Sequence, residues 1–418
     1  MTPIPGERSF ELAHLLRKYE SRNVTHLSDE SPVFWESSGG STVTDVDGNE
    51  YIDLTAGFGV ANAGHSNPNV AAAISQQAAR LMHAMGDVHP AEIKVRLLEK
   101  LAAITPGNLT KTFLASSGAD AVEAAMKTAM LATGKSAFAA FRGSYHGLSI
   151  GTLEISGIKK FREPFLAWLP EKTLLLDYPK NARGGEQSLE YARRAFSRRY
   201  DLAAVIVEPV QGRGGCIVPP KNYLAGLREI CRERGLLMIC DEIYTGFGRT
   251  GTMFACDYEN IVPDILCVGK AMANGFPISA AIATPDVMDA WPPSDGEALH
   301  TSTHLGNPMG CAAALASIAE IEERNLPKRT AELGVVLGSR LESLRVSGKA
   351  AGIRGRGLMW GIELHDPAHA RSAVERALKR GVILLQAGEE GNTLSLTPPL
   401  VIPEDELMRA VDVVESCL

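Results

Sequence analysis

The chain has 418 residues, of which 45% are hydrophobic and 22% are charged, values that are ordinary for a globular protein and exclude wholesale disorder. Lysine and arginine total 42 while aspartate and glutamate total 49, so the net charge of −7 argues against a general nucleic-acid binder. No segment approaches the roughly 20 uncharged apolar residues of a membrane span.

Cysteine usage and the N-terminal segment indicate the compartment. The chain contains 7 cysteines without a CxxC pair, and several lie inside apolar segments such as LLMICDEI. This pattern favours reduced, buried thiols over disulfides or a metal site. The first 22 residues are charged and amphipathic and lack the apolar core of a signal peptide. We therefore expect a cytoplasmic protein with no metal and with neither a nucleic-acid nor a membrane partner.

The hydrophobic pattern predicts secondary structure in chain order. The first third predicts a helix over 8–20, a hairpin over 43–54 around Asp47-Gly48, and helices over 68–84 and 90–104. Short apolar segments then alternate with helical patterns, predicting strands at 111–115, 137–141, 202–210, 236–243 and 264–270, with helices at 119–133 and 222–235. This alternation is typical of an α/β domain with a mostly parallel sheet. The pattern is helical again from about 310 to 346.

This succession of strand and helix patterns predicts a two-domain organisation. The central segment, 61–309, forms a large α/β domain. The N-terminal segment, 1–60, contributes to a smaller domain that is otherwise built by the C-terminal segment, 310–418.

Ionisable residues follow three of the predicted strands. Glu208 follows LAAVIV, Asp241 follows LLMIC, and Lys270 follows DILCVG. Ligands of parallel sheets bind beyond these carboxyl ends, where burial lowers a lysine pKa and a buried carboxylate needs a cation. A structural interpretation of each residue stays open: Glu208 as a turn cap, Asp241 paired with an arginine such as Arg249, and Lys270 reaching solvent at the sheet rim.

Two further strand ends carry glycine-containing segments. SSGAD leads into a helix and would let backbone N–H groups approach a phosphate, unless Ser116 or Ser117 is a plain helix cap. In RGSYHG, Tyr145 could stack on a planar ligand, or Tyr145 and His146 could be packing residues. The five strand ends together suit a ligand with a phosphate, a planar ring, a basic ring nitrogen and an aldehyde. Pyridoxal 5′-phosphate (PLP) has all four features.

At these motifs the sequence resembles the class III aminotransferases (the ornithine/4-aminobutyrate type) of PLP fold type I, over nearly the whole chain. The motifs that carry the resemblance are DVDGNEYIDLTAGFG, SSGADAVEAAMKTAM, FRGSYHG, VEPVQGRGG, DEIYTGFGRTG, GKAMANGFP, TSTHLGNPMGCAAALA and LTPPLVIPEDEL. The resemblance implies a large domain with a mostly parallel central sheet flanked by helices, plus a smaller α+β domain from both termini.

The resemblance also implies roles for individual residues. Lys270 would form a Schiff base with PLP and move protons at the substrate carbon, Asp241 would keep the pyridine nitrogen protonated, and Glu208 would order Asp241 or a water. The other implied cofactor contacts are Ser117, Gly118 and Ala119 at the phosphate, Tyr145 and Ile243 on the two ring faces, His146 beside the stacking tyrosine, Tyr244 near the ring hydroxyl, and Thr303 reaching the phosphate of a neighbouring subunit. The enzyme would then be a homodimer with shared active sites.

Three positions depart from the family pattern. Tyr244 stands where a glutamine is common, Arg213 where many members have a glutamate, and Ser395 where many have an arginine that binds a carboxylate. We hypothesise that Arg213 binds the carboxylate of the donor or acceptor, and that Ser395 leaves room for a bulkier or less acidic substrate. Alternatively, Arg213 points to solvent.

The resemblance implies an aminotransferase that moves an amino group from an amine or amino acid to a 2-oxo acid in two stages, by a ping-pong mechanism. A PLP-dependent aminomutase, racemase or epimerase, or decarboxylase of the same family is the alternative. A non-catalytic binding module conflicts with the presence of Lys270 and Asp241. A nicotinamide oxidoreductase lacks support because no predicted strand is followed by GxGxxG.

Overall fold

The computed structural model describes residues 4–418, which form three β-sheets and the helices that cover them. The strands, in chain order, are β1 (Trp35–Gly39), β2 (Thr42–Asp45), β3 (Glu50–Asp53), β4 (Lys111–Ala115), β5 (Ala137–Phe141), β6 (Leu174–Leu176), β7 (Leu202–Val207), β8 (Leu237–Asp241), β9 (Ile265–Val268), β10 (Ser279–Ala283), β11 (Gly352–Arg356), β12 (Met359–Glu363), β13 (Val382–Ile383), β14 (Leu385–Ala387) and β15 (Thr393–Leu396).

The α-helices flank the three sheets. They are α1 (Glu7–Tyr19), α2 (Ala56–Gly59), α3 (Pro68–Arg80), α4 (Glu92–Ile104), α5 (Gly118–Thr133), α6 (Ile150–Ile155), α7 (Lys159–Arg162), α8 (Ala182–Phe196), α9 (Tyr223–Arg234), α10 (Pro285–Met288), α11 (Pro308–Glu323), α12 (Leu326–Val346), α13 (Pro367–Leu378) and α14 (Glu404–Ser416). Within residues 4–418, none of these helices is both long and apolar enough to cross a bilayer.

The largest sheet has seven strands in the order β4-β10-β9-β8-β7-β5-β6. Only β10 runs antiparallel to its neighbours, so β4 points the same way as β5 to β9. Every residue of β5, β7 and β9 is buried, which explains their uninterrupted apolar sequences. The sheet confirms the predicted α/β fold and brings five strand ends to one edge.

Several predicted segments end earlier in the structure: the helix predicted over 68–84 ends at Arg80, and the strands predicted over 236–243 and 264–270 end at Asp241 and Val268. The apolar segment 202–210 is longer than β7, which stops at Val207, and the Glu208 carboxylate that follows accepts the Gly212 N–H at 3.2 Å in the turn. The helical segment after 310 is two helices, α11 and α12. Asn325 separates them with a left-handed φ of 47°, and a proline occupies the first turn of α12.

The smaller sheets join distant parts of the chain. Strands β1, β2 and β3 form a sheet with β13, which pairs in parallel with β3. The third sheet, β11-β12-β15-β14, is antiparallel and comes from the C-terminal part alone. Both termini therefore contribute to the smaller part of the fold. The domain boundaries at 60/61 and 309/310 stay predictions.

Arg249 connects three regions of the structure from a fully buried position. Its guanidinium donates hydrogen bonds to the carbonyl oxygens of Leu358 at 2.9 Å and Pro398 at 2.6 Å, and to the side-chain oxygen of Asn62. Burial lowers the pKa of Arg249 to about 10. Arg249 thus holds the C-terminal sheet and the N-terminal segment against the central sheet, and it is not the partner of Asp241.

Replacing Arg249 by leucine should lower the free energy of unfolding by about 3 kcal/mol, because three buried acceptors would lose their donor. Chemical denaturation followed by circular dichroism measures this loss. Arg409→Leu is the matched control, since Arg409 is exposed on α14 and, within residues 4–418, forms its ion pair with Asp405 one turn away; we expect a change below about 0.5 kcal/mol. Equal losses in the two variants would contradict the connecting role of Arg249.

Candidate active site

A cavity of 710 Å³ lies at the edge where the parallel strands end. The residues that line it come from the central sheet, from the C-terminal sheet and from two N-terminal positions. They are Val24, Phe58, Gly118, Ala119, Tyr145, His146, Gly147, Leu148, Phe161, Glu208, Gly212, Arg213, Asp241, Ile243, Tyr244, Thr245, Lys270, Leu385, Gln386, Ala387 and Ser395. All but two of the sequence-predicted site residues are in this set.

The phosphate turn follows β4 and opens the 16-residue helix α5. Ser117 is the N-cap, and its hydroxyl accepts the Asp120 N–H at 3.2 Å. Gly118 and Ala119 face the cavity. A Cβ at position 118 would lie 2.8 Å from Cδ1 of Ile243, so glycine permits the close approach of the turn. Free backbone N–H groups and the helix dipole make this turn suited to an anion, whereas Ser117 is engaged in capping.

Asp241 ends β8 in a buried position and pairs with His146. Its Oδ2 lies 2.7 Å from Nδ1 of His146, and its Oδ1 accepts the Ile243 N–H at 3.1 Å. The sequence left open whether His146 is a packing residue or takes a direct part in the site. In the structure His146 is the hydrogen-bonding partner of Asp241. Its Nε2 is buried with no hydrogen-bond partner among residues 4–418.

Lys270 follows β9 and reaches the same cavity. Its φ of 43° lies in the left-handed region, which is uncommon for a residue with a side chain and is often found at functional sites. Burial lowers the pKa of its ammonium, and the nearby Asp241 and Glu208 oppose only part of this shift. A lysine with a lowered pKa is more often a neutral, nucleophilic amine.

Glu208 lines the cavity from a buried position and accepts two backbone hydrogen bonds. One comes from Tyr145 N–H at 3.0 Å and the other from Gly212 N–H at 3.2 Å. Burial raises the pKa of Glu208 to about 7, a shift that Asp241 reinforces and His146 opposes. The carboxyl group links the RGSYHG segment to the turn after β7.

Two side chains could enclose a planar ring. Tyr145 lines the cavity and is steadied by an edge-to-face contact with Phe161, whose ring centroid is 5.6 Å away. Ile243 lines the cavity next to the phosphate turn. The site therefore has a phosphate turn, an acid, an amine and two apolar surfaces around one cavity. These features fit PLP, because each of its polar groups meets a complementary group.

The three departures from the family pattern also meet at this cavity. The Tyr244 hydroxyl lies 3.0 Å from Thr397 Oγ1, and Ser395 is buried on β15. Arg213 lines the cavity with an exposed side chain, and no ion pair within residues 4–418 involves it. Its charge lies close enough to Tyr145 to offset part of the rise in pKa that burial causes there.

Thr303 lies in an exposed loop outside the cavity of its own chain. Its assignment to a neighbouring subunit's phosphate stays a prediction. Phe58, Phe161 and the segment 385–387 are cavity residues that the sequence patterns did not predict. The two glycines flanking Phe58 in AGFG are a weak signal of close packing, and β14 is too short to give any periodicity.

Comparison with known proteins places the chain in a family. Residues 24–418 match the family described as "Aminotransferase class-III". The chain is 39% identical to an acetylornithine aminotransferase of Methanosarcina mazei, over 95% of this chain and 94% of the relative. It is 38% identical to a putrescine aminotransferase of Pectobacterium atrosepticum, over 93% of this chain and 83% of the relative.

Solved structures agree with this assignment. A transaminase from the marine bacterium Virgibacillus superposes with a TM-score of 0.90 at 27% identity, covering 97% of this chain and 98% of the other. The ornithine aminotransferase of Toxoplasma gondii superposes with a TM-score of 0.87 at 28% identity, covering 97% and 94%.

The raised pKa of Glu208 predicts a pH dependence of stability. A buried carboxyl whose pKa rises from 4.5 to about 7 favours folding fully below pH 4.5, and that contribution is lost as the pH rises through 7. In cofactor-free protein, Glu208→Gln should remove about 2–3 kcal/mol of the fall in unfolding free energy between pH 4.5 and 8. Glu323→Gln, at an exposed position on α11, should leave the pH dependence of the unfolding free energy as it is in the parent. The same pH dependence in the parent and in Glu208→Gln would refute the raised pKa of Glu208.

Proposed function

The chain belongs to the class III aminotransferases and is a PLP-dependent aminotransferase; from this premise we propose how its residues divide the work. The observation that carries the proposal is the convergence of Lys270, Asp241 and the phosphate turn on one cavity. In the first stage an amine donor gives up its amino group, and in the second a 2-oxo acid takes it. The donor would be a primary amine on an aliphatic chain, since acetylornithine and putrescine aminotransferases are relatives.

Binding of the cofactor would use the phosphate turn and the two enclosing side chains. The N–H groups at Gly118 and Ala119 would bind the phosphate, aided by the dipole of α5. Tyr145 and Ile243 would hold the ring between them. When bound, PLP supplies a carbonyl that reacts with amines and a ring that withdraws electrons.

The ionisable residues would handle charge and protons. Asp241 would place its negative charge opposite a protonated ring nitrogen, while His146 and the Ile243 N–H keep its oxygens oriented. Lys270 Nζ, with its lowered pKa, would take a proton from the substrate carbon and return one. Glu208 would be a positioning residue, because each of its oxygens accepts a backbone N–H and so joins two segments of the site.

We propose that the protein is a cytoplasmic homodimer in which Thr303 serves the partner's site. Exposed apolar side chains at Met82, Met85 and Val88 support this proposal. Their segment contacts the Thr303 loop, since Asn307 Nδ2 donates to the Met82 carbonyl at 3.3 Å. An apolar surface continuous with a loop that lies outside its own cavity suits an interface between two copies.

Lys270→Ala should abolish transamination, with a loss of at least about 10³-fold, because no other amine replaces the reacting lysine. Borohydride reduction followed by peptide mass spectrometry should find the cofactor mass on Lys270 in the parent protein. Lys94 is the matched control, because burial also lowers its pKa while its amine is held by the Gly86 carbonyl. Label on Lys94 instead, or turnover by Lys270→Ala, would overturn the assignment.

Analytical ultracentrifugation tests the dimer. The parent should sediment as a dimer that buries more than about 2,000 Å². Met85→Glu combined with Val88→Glu should shift it to monomer and lower activity, since each site then lacks the partner's Thr303. The control, Val335→Glu, changes a still more exposed valine on α12 and should stay dimeric. A fully active monomer would rule out shared sites.

A further inference from the structure

The ring of Tyr244 is held in a slot between two glycines. A Cβ at Gly59 would lie 2.1 Å from Cε2 of Tyr244, and a Cβ at Gly212 would lie 2.3 Å from its Cδ1. No side chain could stand at either position without displacing the ring. The backbone therefore approaches both long edges of the ring, Cδ2–Cε2 at Gly59 and Cδ1–Cε1 at Gly212, and holds the side chain in one orientation at the cavity wall.

The hydroxyl of Tyr244 is held by a polar contact with the segment that follows β15. It lies 3.0 Å from Thr397 Oγ1, a contact at which either hydroxyl can donate. Thr397 Oγ1 also lies 3.2 Å from the Thr55 carbonyl oxygen, to which it can donate. The Tyr244 hydroxyl therefore has a protein partner at the cavity wall.

The Tyr244 ring also borders the reacting position. Lys270 Nζ lies 4.8 Å from the ring centroid, so any group on the substrate carbon that points this way meets the aromatic ring. Aromatic faces carry partial negative charge and attract cations while disfavouring anions. Ser395 lies on the same side, near Cys216, with its Oγ 3.5 Å from the Cys216 Sγ. Apart from Lys270 and Arg213, no lysine or arginine is among the described residues that line the cavity, so Tyr244 and Ser395 themselves offer no cation to a carboxylate.

Arg213 is the cavity residue that could bind a carboxylate. Among the lining residues only Arg213 and Lys270 are lysine or arginine, and Lys270 is used in the reaction. Arg213 belongs to the turn after β7, and its carbonyl accepts the Gly388 N–H at 2.9 Å, which fixes the turn against the C-terminal region. Its guanidinium has no ion-pair partner within residues 4–418, so it is available for an acid.

We propose that Tyr244 is a specificity-determining residue that closes the Ser395 side of the cavity to carboxylates and directs the carboxylate of the 2-oxo acid to Arg213. The proposal rests on the proposed function, because it concerns the substrates of that reaction. A donor without a carboxylate on its reacting carbon meets no penalty at Tyr244. The acidic substrate has one productive orientation, with its carboxylate at Arg213.

The experiment compares substrates that differ by one carboxylate. Propylamine and 2-aminobutanoate form such a pair, as do 2-phenylethylamine and phenylalanine. The specificity ratio is kcat/KM for the amine divided by kcat/KM for its carboxylated counterpart, measured in the donor half-reaction of the holoenzyme. Binding of the same pairs to cofactor-loaded Lys270→Ala, measured by calorimetry, separates recognition from chemistry.

Tyr244→Gln removes the ring and should lower the specificity ratio at least tenfold by admitting the carboxylate. Tyr244→Phe keeps the ring and should change the ratio less than threefold. Tyr191→Gln, an exposed tyrosine on α8, is the matched control and should leave the ratio unchanged. Arg213→Ala should raise KM for the 2-oxo acid at least tenfold and leave KM for the amine within twofold.

Three results would overturn the proposal: an unchanged ratio in Tyr244→Gln, equal shifts in Tyr244→Phe and Tyr244→Gln, or an effect of Arg213→Ala that is the same for the acidic and neutral substrates. Failure of the proposed function looks different. In that case no donor reacts with the parent holoenzyme, while the calorimetric comparison on Lys270→Ala and on its double variant with Tyr244→Gln still reports whether the wall excludes carboxylates.

Discussion

The burial of two acids and one amine at a single edge of a parallel sheet is the constraint on which the rest of this site depends. Charged groups lose hydration there and need compensation from one another. Asp241 is compensated by His146 and a backbone N–H, and Glu208 by two backbone N–H groups. The negative charges of both acids in turn support the ammonium of Lys270. Displacing one group would leave another without compensation.

The cavity at this edge is lined by chemically different groups in different places. The ring and phosphate side is built by strand ends and the start of α5, with ionisable groups in defined positions. The opposite side is built by the Tyr244 ring and by Ser395, which offer hydroxyl groups and an aromatic face. Arg213 lies outside both, in an exposed turn. In the proposed division of roles, chemistry and recognition use different parts of the cavity, so recognition can change without disturbing the buried charges.

The position of the smaller sheets decides what the cavity can hold. Residues 385–387 and Ser395 come from β14 and β15, and Thr397 follows directly. Arg249 holds this region in place through the carbonyl of Pro398, next to Thr397. A buried arginine that does not itself line the cavity thus fixes the wall against which Tyr244 is oriented. Arg249 therefore links the stability of the fold to the shape of the cavity next to Tyr244.

The sequence by itself determined the central strands and the residues at their ends. Buried parallel strands are continuous apolar segments, and a charged residue directly after such a segment must lie at the sheet edge, as Asp241 and Lys270 do. Local patterns carry no information about contacts between residues far apart in the chain. Only the tertiary structure decided that Asp241 pairs with His146 instead of Arg249, and that Gly59 and Gly212 enclose the Tyr244 ring, because these contacts form when separate segments pack together.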